Sequence, residues 1–497
     1  MNLVAMGDIP ALYAERLGGK RLCVVHQNDR LSWAEMATRI NRRAWALKGL
    51  GIGKDDIVAL VLPNENAVFE LSFALWKLGA TPSCISARLP ANEMKAVLDL
   101  ARPRAVFASD PAIRATTGAL PADYGLQEGS DEPLSSIIGS HWKAMTSGGS
   151  SGRPKMIVDM GPGATDISQP LLNLPQGGTV LNAGPLCHNA PFTFMSMALH
   201  HGNSVISMPR FDAEETLRLI ESYEVEWANL VPTMMSRIWA LPEETRSRYD
   251  LSSLQAVWHT AAPMPAWLKE AWIDWIGPEK IWEIYGGTER QGNTILNGAE
   301  WLTHRGSVGR PINCDIRILS EDGEQLPPGE VGEIHLLPFT GAGSTYHYLG
   351  AEPHRSKDGY ETIGDFGWLD EEGYLYIADR RADLILRGGM NVYPAEIENA
   401  LSEHPGVDLA VVIGLPDPDL GARVHAIVRP SLAAAEPVTV EALGAFLATK
   451  LARYKLPASY EFTDEPLRDE AGKVRRSQLR AAKIAALSSS DNVPAGA

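Results

Sequence analysis

The sequence predicts an α/β protein: parallel sheets covered by helices, then a β-rich stretch, then a smaller unit in which the alternation restarts. Three observations carry this. Helical and strand signals alternate through the first half of the chain. Short strands and dense turns take over from about residue 306, and the alternation resumes beyond Asp379-Arg380-Arg381. Strands that are apolar throughout, separated by helices, are what a sheet buried on both faces requires.

In chain order, Met36, Ile40, Ala44, Leu47 and Leu50 recur at helical spacing, and Gly51 follows as a stop signal. Residues 57–62 are an apolar run ended by Pro63-Asn64 and read as a buried strand. Residues 67–78 read as a helix, and 105–108, after Pro103, as a strand. Strands at 179–184 and 204–208, a helix at 213–222 and a strand at 227–231 repeat the pattern. The β-rich stretch places strands at 315–319, 332–337 and 373–377, between turns such as Glu321-Asp322-Gly323 and Pro327-Pro328-Gly329. A helix near 395–402 and a strand near 409–413 open the last unit, and the residues from Ser488 onward are expected to fray.

The chain has 497 residues, 45% of them hydrophobic, which excludes wholesale disorder and fits about three domain-sized units. Lys plus Arg number 45 against 61 Asp plus Glu, a formal charge of −16. Such a surface repels nucleic acid and anionic membranes on average, so an anionic substrate needs a local site to hold it. Cys23, Cys84, Cys187 and Cys314 lie far apart with no CxxC pair, as expected of a reduced cytoplasmic protein. Asp8 and Glu15 interrupt the N-terminus where a leader peptide would be apolar, and no stretch approaches ~18 uncharged apolar residues. Neither secretion nor integral membrane association is expected.

The most distinctive segment is Thr146-Ser147-Gly148-Gly149-Ser150-Ser151-Gly152-Arg153-Pro154-Lys155. Glycines let backbone N–H groups approach an anion, hydroxyls add donors and lysine adds charge, a composition suited to phosphates. The bland alternative is a polar linker, and the segment is not a Walker A loop. It also contains G-x-S-x-G around Ser150, the pattern of a hydrolase nucleophile elbow, although Arg153-Pro154 disfavours the helix an elbow needs. Tyr285-Gly286-Gly287-Thr288-Glu289 offers a ring for stacking, a hydroxyl for a phosphate oxygen and a carboxylate for Mg²⁺. Alone it reads better as a common loop, and the bland readings of Asp365 and Arg380 are a turn residue and a surface ion pair.

In order and spacing these segments resemble the adenylate-forming superfamily of acyl-CoA synthetases, nonribosomal adenylation domains and luciferases. Pro185-Leu186-Cys187-His188, Val231-Pro232-Thr233, Gly309-Arg310-Pro311, the segment Gly388-Gly389-Met390-Asn391-Val392-Tyr393-Pro394-Ala395-Glu396 and Gly472-Lys473 add to the match, which spans roughly residues 30–480. The resemblance implies a large N-terminal domain, residues 1–380, with two α/β subdomains and a small β-barrel-like subdomain. A small mobile α+β C-terminal domain, residues 381–497, would carry the catalytic lysine. It implies two half-reactions: a carboxylate attacks the α-phosphate of ATP, releasing pyrophosphate, and the thiol of coenzyme A then displaces AMP.

By the same resemblance, Thr146, Ser147, Gly148, Gly149, Ser150, Ser151, Gly152 and Lys155 would cradle the β- and γ-phosphates. Tyr285, Gly286 and Gly287 would meet adenine, with Ala261, Ala262 and Pro263 on its other face. Thr288 would touch the α-phosphate, Glu289 would hold Mg²⁺, and Asp365 and Arg380 would bind the ribose. Lys473 would bridge the attacking carboxylate and the α-phosphate, His188 would gate the acyl site, and Gly388 and Gly389 would line the thiol tunnel after the small domain rotates. Departures from the family pattern are Ala382 at the pivot, Ala261-Ala262 where Gly-Gly or Gly-Ala is common, and Ile363 where a threonine usually stands.

The segment Gly149-Ser150-Ser151 with residues 185–192 looks most like ligases for bulky alicyclic acids of bile-acid, steroid or terpenoid type. His188, Asn189, Phe192, Trp258, His259 and residues 283–286 are the candidate pocket walls. No carrier domain follows Lys473, so free coenzyme A is the expected acceptor, with a separate carrier protein as the alternative. A homodimer is left open, and a serine hydrolase using Ser150 is the rival from another class.

Overall fold

The computed structural model describes residues 3–127, 129–147, 154–168, 171–380, 383–388, 390–431, 437–469 and 472–490. A nine-stranded sheet forms its centre. The strands Leu22–His26, Ser204–Ser207, Thr179–Asn182, Trp227–Asn229, Ala256–His259 and Ile281–Gly286 lie side by side in parallel, and antiparallel strands close both edges. A second sheet of four strands, with Ile57–Val61 and Ala105–Ala108 at its centre, is parallel throughout. The helix Asn66–Lys77 is buried around nearly its whole circumference, and a single core joins side chains of both sheets around it. That double burial explains why Ile57–Val61 and Ala105–Ala108 are apolar at every position rather than at alternate ones.

The region after residue 306 forms a six-stranded antiparallel sheet, with Cys314–Leu319, Gly332–Pro338, Asp365–Leu369 and Leu375–Arg380 among its strands. The strand expected at 373–377 is displaced. Gly373 sits in a turn at φ +80°, where the Asp370 carboxylate accepts the N–H groups of Glu372 and Tyr374, and the strand begins at Leu375. Beyond Ile385 the chain builds a separate core on the hairpin Val407–Asp417 and Gly421–Pro430. Its first strand runs past the expected end at Ile413, because Gly414 leaves room for Ile385 and Pro416 falls at the ladder's end, opposite Ala422.

One buried ion pair braces the strand that leads into the Tyr285 segment. Lys269, on the helix Ala266–Ile276, donates to the Glu283 carboxylate, and His259 Nε2 lies 3.7 Å from the same carboxylate. Removing one member of a buried pair leaves an uncompensated charge, which typically costs ~3–5 kcal/mol. Lys269→Met is therefore expected to lower the unfolding free energy by about that amount in chemical denaturation, with the double variant Lys269→Met/Glu283→Gln recovering most of the loss.

Candidate functional site

Strands β1 (Ala144–Ser147) and β2 (Lys155–Asp159) form an antiparallel hairpin in which Ser147 pairs with Lys155. The glycine–serine segment thus hangs between two strands. Gly148, Gly149, Ser150, Ser151 and Gly152 lie outside the described residues. Their flanks nonetheless decide one question: a nucleophile elbow joins a strand to a helix, and here the chain passes from strand to strand. β2 cannot be helical because Met156–Val158 is buried and paired on both sides, with β1 and with the strand Tyr346–Leu349. The hydrolase reading of Ser150 loses its structural basis.

Helix α1 (Asn189–His200) follows His188, and β3 (Ile281–Gly286) carries Tyr285 into a tight turn over Gly287, Thr288 and Glu289. At Gly286 a Cβ would meet Asn293 Nδ2 at 2.2 Å and the Gly292 carbonyl oxygen at 2.8 Å, so a side chain there would displace the neighbouring strand. Arg290, at φ +57°, closes the turn and donates from Nη1 to both Asp159 oxygens at 2.9 Å, which fastens the turn to the end of β2. The Glu289 carboxylate is buried, and its Oε1 accepts from Tyr348 Oη at 2.7 Å and from Lys155 Nζ at 3.4 Å. Lys155 also donates to Tyr348 Oη at 3.1 Å. Burial and the adjacent Glu289 carboxylate push the Tyr348 phenol well above its usual range, so it stays a donor.

Strands β4 (Asp365–Leu369) and β5 (Leu375–Arg380) pair so that Asp365 and Arg380 are direct register partners. Two residues fifteen positions apart, assigned to one sugar by the resemblance, thus face each other across a ladder; the Arg380 side chain lies outside the description. Tyr285 donates its phenol to Asp365 Oδ2 at 2.7 Å, tying the expected adenine face to the expected ribose carboxylate.

Lys473 comes from the far end of the chain. Its N–H donates to Asp469 Oδ1 at 2.9 Å, its carbonyl accepts the Asp469 N–H at 2.9 Å, and Gly472 at φ +75° makes the reversal possible. A Cβ on Gly472 would stand 3.2 Å from Thr233 Oγ1, so this turn rests against the Val231-Pro232-Thr233 segment. Helix α2 (Pro394–Ser402) anchors its flanks: Arg476 donates to Glu398 Oε1 at 2.5 Å, and Arg468 lies 3.8 Å from Glu398.

Thr146, Lys155, His188, Ala261, Ala262, Pro263, Tyr285, Gly286, Gly287, Thr288, Glu289, Asp365 and Lys473 all line one cavity of about 3070 Å³ between the large N-terminal part and the C-terminal unit. Gly388 does not line it: its N–H bonds the Leu420 carbonyl at 2.8 Å within the C-terminal unit, and Gly389 and Ala382 lie outside the described residues. Of the expected pocket walls, His188, Asn189 and residues 283–286 face the cavity. Phe192, Trp258 and His259 do not: all three are fully buried, Phe192 stacked on Trp142 and Trp258 on Trp282. Burial, against the Glu283 carboxylate and aided by the Lys269 ammonium, drives the His259 pKa down to about 4, so it is a neutral core histidine.

Ala261, where the family favours glycine, sits at φ +75°. A left-handed alanine typically costs ~1–2 kcal/mol, partly offset by the extra unfolded-state entropy of glycine. Ala261→Gly is expected to stabilise the protein by about 0.5–1 kcal/mol in thermal denaturation.

The residues that sequence reasoning missed are Tyr348, Arg290 and Lys143. Lys143 is 1% exposed and lines the cavity just before β1. It donates to Asn189 Oδ1 and, at 2.7 Å, to Thr193 Oγ1. Desolvation lowers its pKa to about 7 despite Asp159, whose nearer oxygen is 4.0 Å away. Asn189, Thr193, Met197 and His200 lie along one face of α1 and all line the cavity, giving it a wall about 16 Å long at ~1.5 Å per residue.

The donor set around Glu289 suits magnesium, which takes one or two carboxylates and completes its shell with phosphates and water. Glu289 Oε2 receives no hydrogen bond from the described residues, and among those residues no group of three or more His, Cys, Asp or Glu could hold a metal. No described helix is long and apolar enough to cross a membrane.

Comparison with known proteins agrees with this geometry. The family model of AMP-binding enzymes matches residues 12–337, and that of the AMP-binding enzyme C-terminal domain matches residues 396–473. A feruloyl-CoA synthase of Amycolatopsis is 32% identical over 97% of this chain and 99% of its own. The o-succinylbenzoate CoA synthetase of Bacillus subtilis, solved with its acyl-adenylate intermediate, superposes with a TM-score of 0.81 at 25% identity, covering 97% of this chain and 99% of that one. The same enzyme with ATP and magnesium ion gives a TM-score of 0.80 at 25% identity, over 95% and 99% of the two chains.

Proposed function

The chain belongs to the AMP-binding enzyme family, and from that membership we propose that it is an AMP-forming acid–CoA ligase acting on a bulky, largely apolar carboxylic acid. The observation that carries the reading is convergence: residues scattered from Thr146 to Lys473 line one cavity, as a shared site for a nucleotide and an acid requires. The proposed division of labour follows the resemblance to the adenylate-forming family. Residues 146–155 take the outer phosphates of ATP, and Thr288 takes the α-phosphate. Tyr285 and the Ala261-Ala262-Pro263 segment take adenine, and Asp365 with Arg380 takes the ribose. Glu289 would hold Mg²⁺, which supplies positive charge to the phosphates when bound.

In the first half-reaction a carboxylate oxygen of the acid bonds to the α-phosphorus, and the bond to the pyrophosphate oxygen breaks. Charge accumulates on the α-phosphate oxygens, where Lys473 donates. A cation placed at developing charge in a water-poor cleft is usually the largest contribution a side chain can make. In the second half-reaction the thiol sulfur bonds to the acyl carbon and AMP leaves. Residues 1–380 form the nucleotide- and acyl-binding part, and residues 381–497 rotate between steps to exchange Lys473 for Gly388 and Gly389. The present position of Gly388, against Leu420 and away from the cavity, supports assigning this arrangement to adenylation.

The wall about 16 Å long along α1 supports a large acid over acetate, and an alicyclic skeleton is the form we favour. Free coenzyme A is the proposed acceptor and the cytoplasm the proposed location. The test is pyrophosphate release across a panel of alicyclic, aryl and fatty acids, with and without CoA, and mass spectrometry of the thioesters. Acid-dependent release and a CoA product are expected from the alicyclic acids. Ester cleavage without ATP, or no acid-dependent release from any acid, would overturn the assignment.

A further inference from the structure

A lysine that is 1% exposed in the wall of an acyl cavity calls for an explanation. An ammonium group has three N–H donors. Two of those on Lys143 go to Asn189 Oδ1 and Thr193 Oγ1, both on the cavity face of α1. The nearest carboxylate, Asp159, stands at 4.0 Å, beyond hydrogen-bond distance, and already accepts twice from Arg290 and once from the Gly161 N–H. No third acceptor lies within hydrogen-bond distance among the described residues. The Trp142 ring, 4.6 Å away, contributes only a cation–π contact. Further along the same face, His200 Nε2 is buried with no hydrogen-bond partner. The wall is otherwise apolar there, with Trp142, Phe194 and Met197.

Accepting the chain as an acid–CoA ligase, on which this rests, we propose that Lys143 determines specificity by donating to an oxygen acceptor on the body of the acid, away from its reacting carboxylate. The acceptor is a ketone, a hydroxyl or a second carboxylate. Its position follows from the wall: Lys143 lies just ahead of β1 and bonds Asn189 and Thr193 on α1, so an acid lying along that wall meets the lysine with its body. A site built to hydrogen-bond a substrate oxygen rejects the analogue lacking it far more strongly than an apolar pocket rejects an extra methylene, because its own polar group is then stranded.

The test uses the full-length protein and matched acids: one skeleton bearing a distal ketone, hydroxyl or carboxylate, and the same skeleton without it. Wild type is expected to favour at least one oxygenated acid over its deoxy partner by roughly 10⁴-fold in kcat/KM. Lys143→Met is expected to erase that preference, losing the oxygenated acid while leaving the deoxy acid and the KM for ATP within a few-fold. The arm that shows the preference identifies the acceptor. A wild type without preference overturns the proposal whether or not the variant folds, and so does a variant that loses both acids equally, which would mark a merely structural lysine. Absence of acid-dependent pyrophosphate release from every acid is a different result, which would sink the ligase reading itself.

Discussion

Lys473→Ala is expected to lower acid-dependent pyrophosphate release by roughly 10²–10³-fold or more, while thioester formation from supplied acyl-AMP and CoA stays within a few-fold of wild type. The asymmetry follows from where the charge develops. During adenylation the α-phosphate gains negative charge beside an anionic carboxylate, and Lys473, which the C-terminal turn brings to the cavity, is the cation proposed to meet it. Losing one such donor typically costs ~3–4 kcal/mol of transition-state stabilisation. Thioester formation starts from a neutral acyl carbon and, on the proposed reading, would proceed after the small domain has withdrawn the lysine. The two half-reactions, assayed separately, check this; equal losses in both would point to a damaged fold, and no loss in the first would remove Lys473 from the chemistry.

Glu289→Gln is expected to cost about 10²-fold in the same half-reaction, and to raise the magnesium concentration needed for half-maximal rate. The glutamine keeps the volume of the side chain and an oxygen for the Tyr348 phenol, so the turn held by Arg290 on Asp159 should persist. What disappears is the charge. Lys155 loses its counter-ion, and the magnesium that Glu289 would hold loses that carboxylate. Binding of AMP, which needs no magnesium bridge to the outer phosphates, should change little. A magnesium titration alongside AMP binding separates the two effects; an unchanged magnesium requirement would contradict the role.

Much of the scaffold could be read in advance, for a physical reason. Strands buried on both faces, such as residues 57–61 and 105–108, are continuous apolar runs that few other structures tolerate. The residues expected to meet the nucleotide were legible as cavity-lining candidates because each lies in a short contiguous segment. Tyr348, Arg290 and Lys143 were not, because their roles come from contacts across the fold: Tyr348 reaches Glu289 only because its strand pairs with β2. Phe192, Trp258 and His259 show the opposite error. A side chain beside a site in sequence can face the cavity or the core, and these three turn inward. The strand expected at residue 373 failed because a turn glycine and a strand glycine look alike in a sequence; the Asp370 carboxylate that caps two N–H groups decides for the turn.

The turn that presents Lys473 also sets a condition on manufacture. Lys473 is translated more than a hundred residues after Asp365. On the proposed assignment, a chain that stops or is cut between them keeps Lys155 and Glu289 but lacks the lysine at the α-phosphate. Such unfinished copies are expected to form no acyl-adenylate, so competence would arrive in one step, with the turn that carries Lys473.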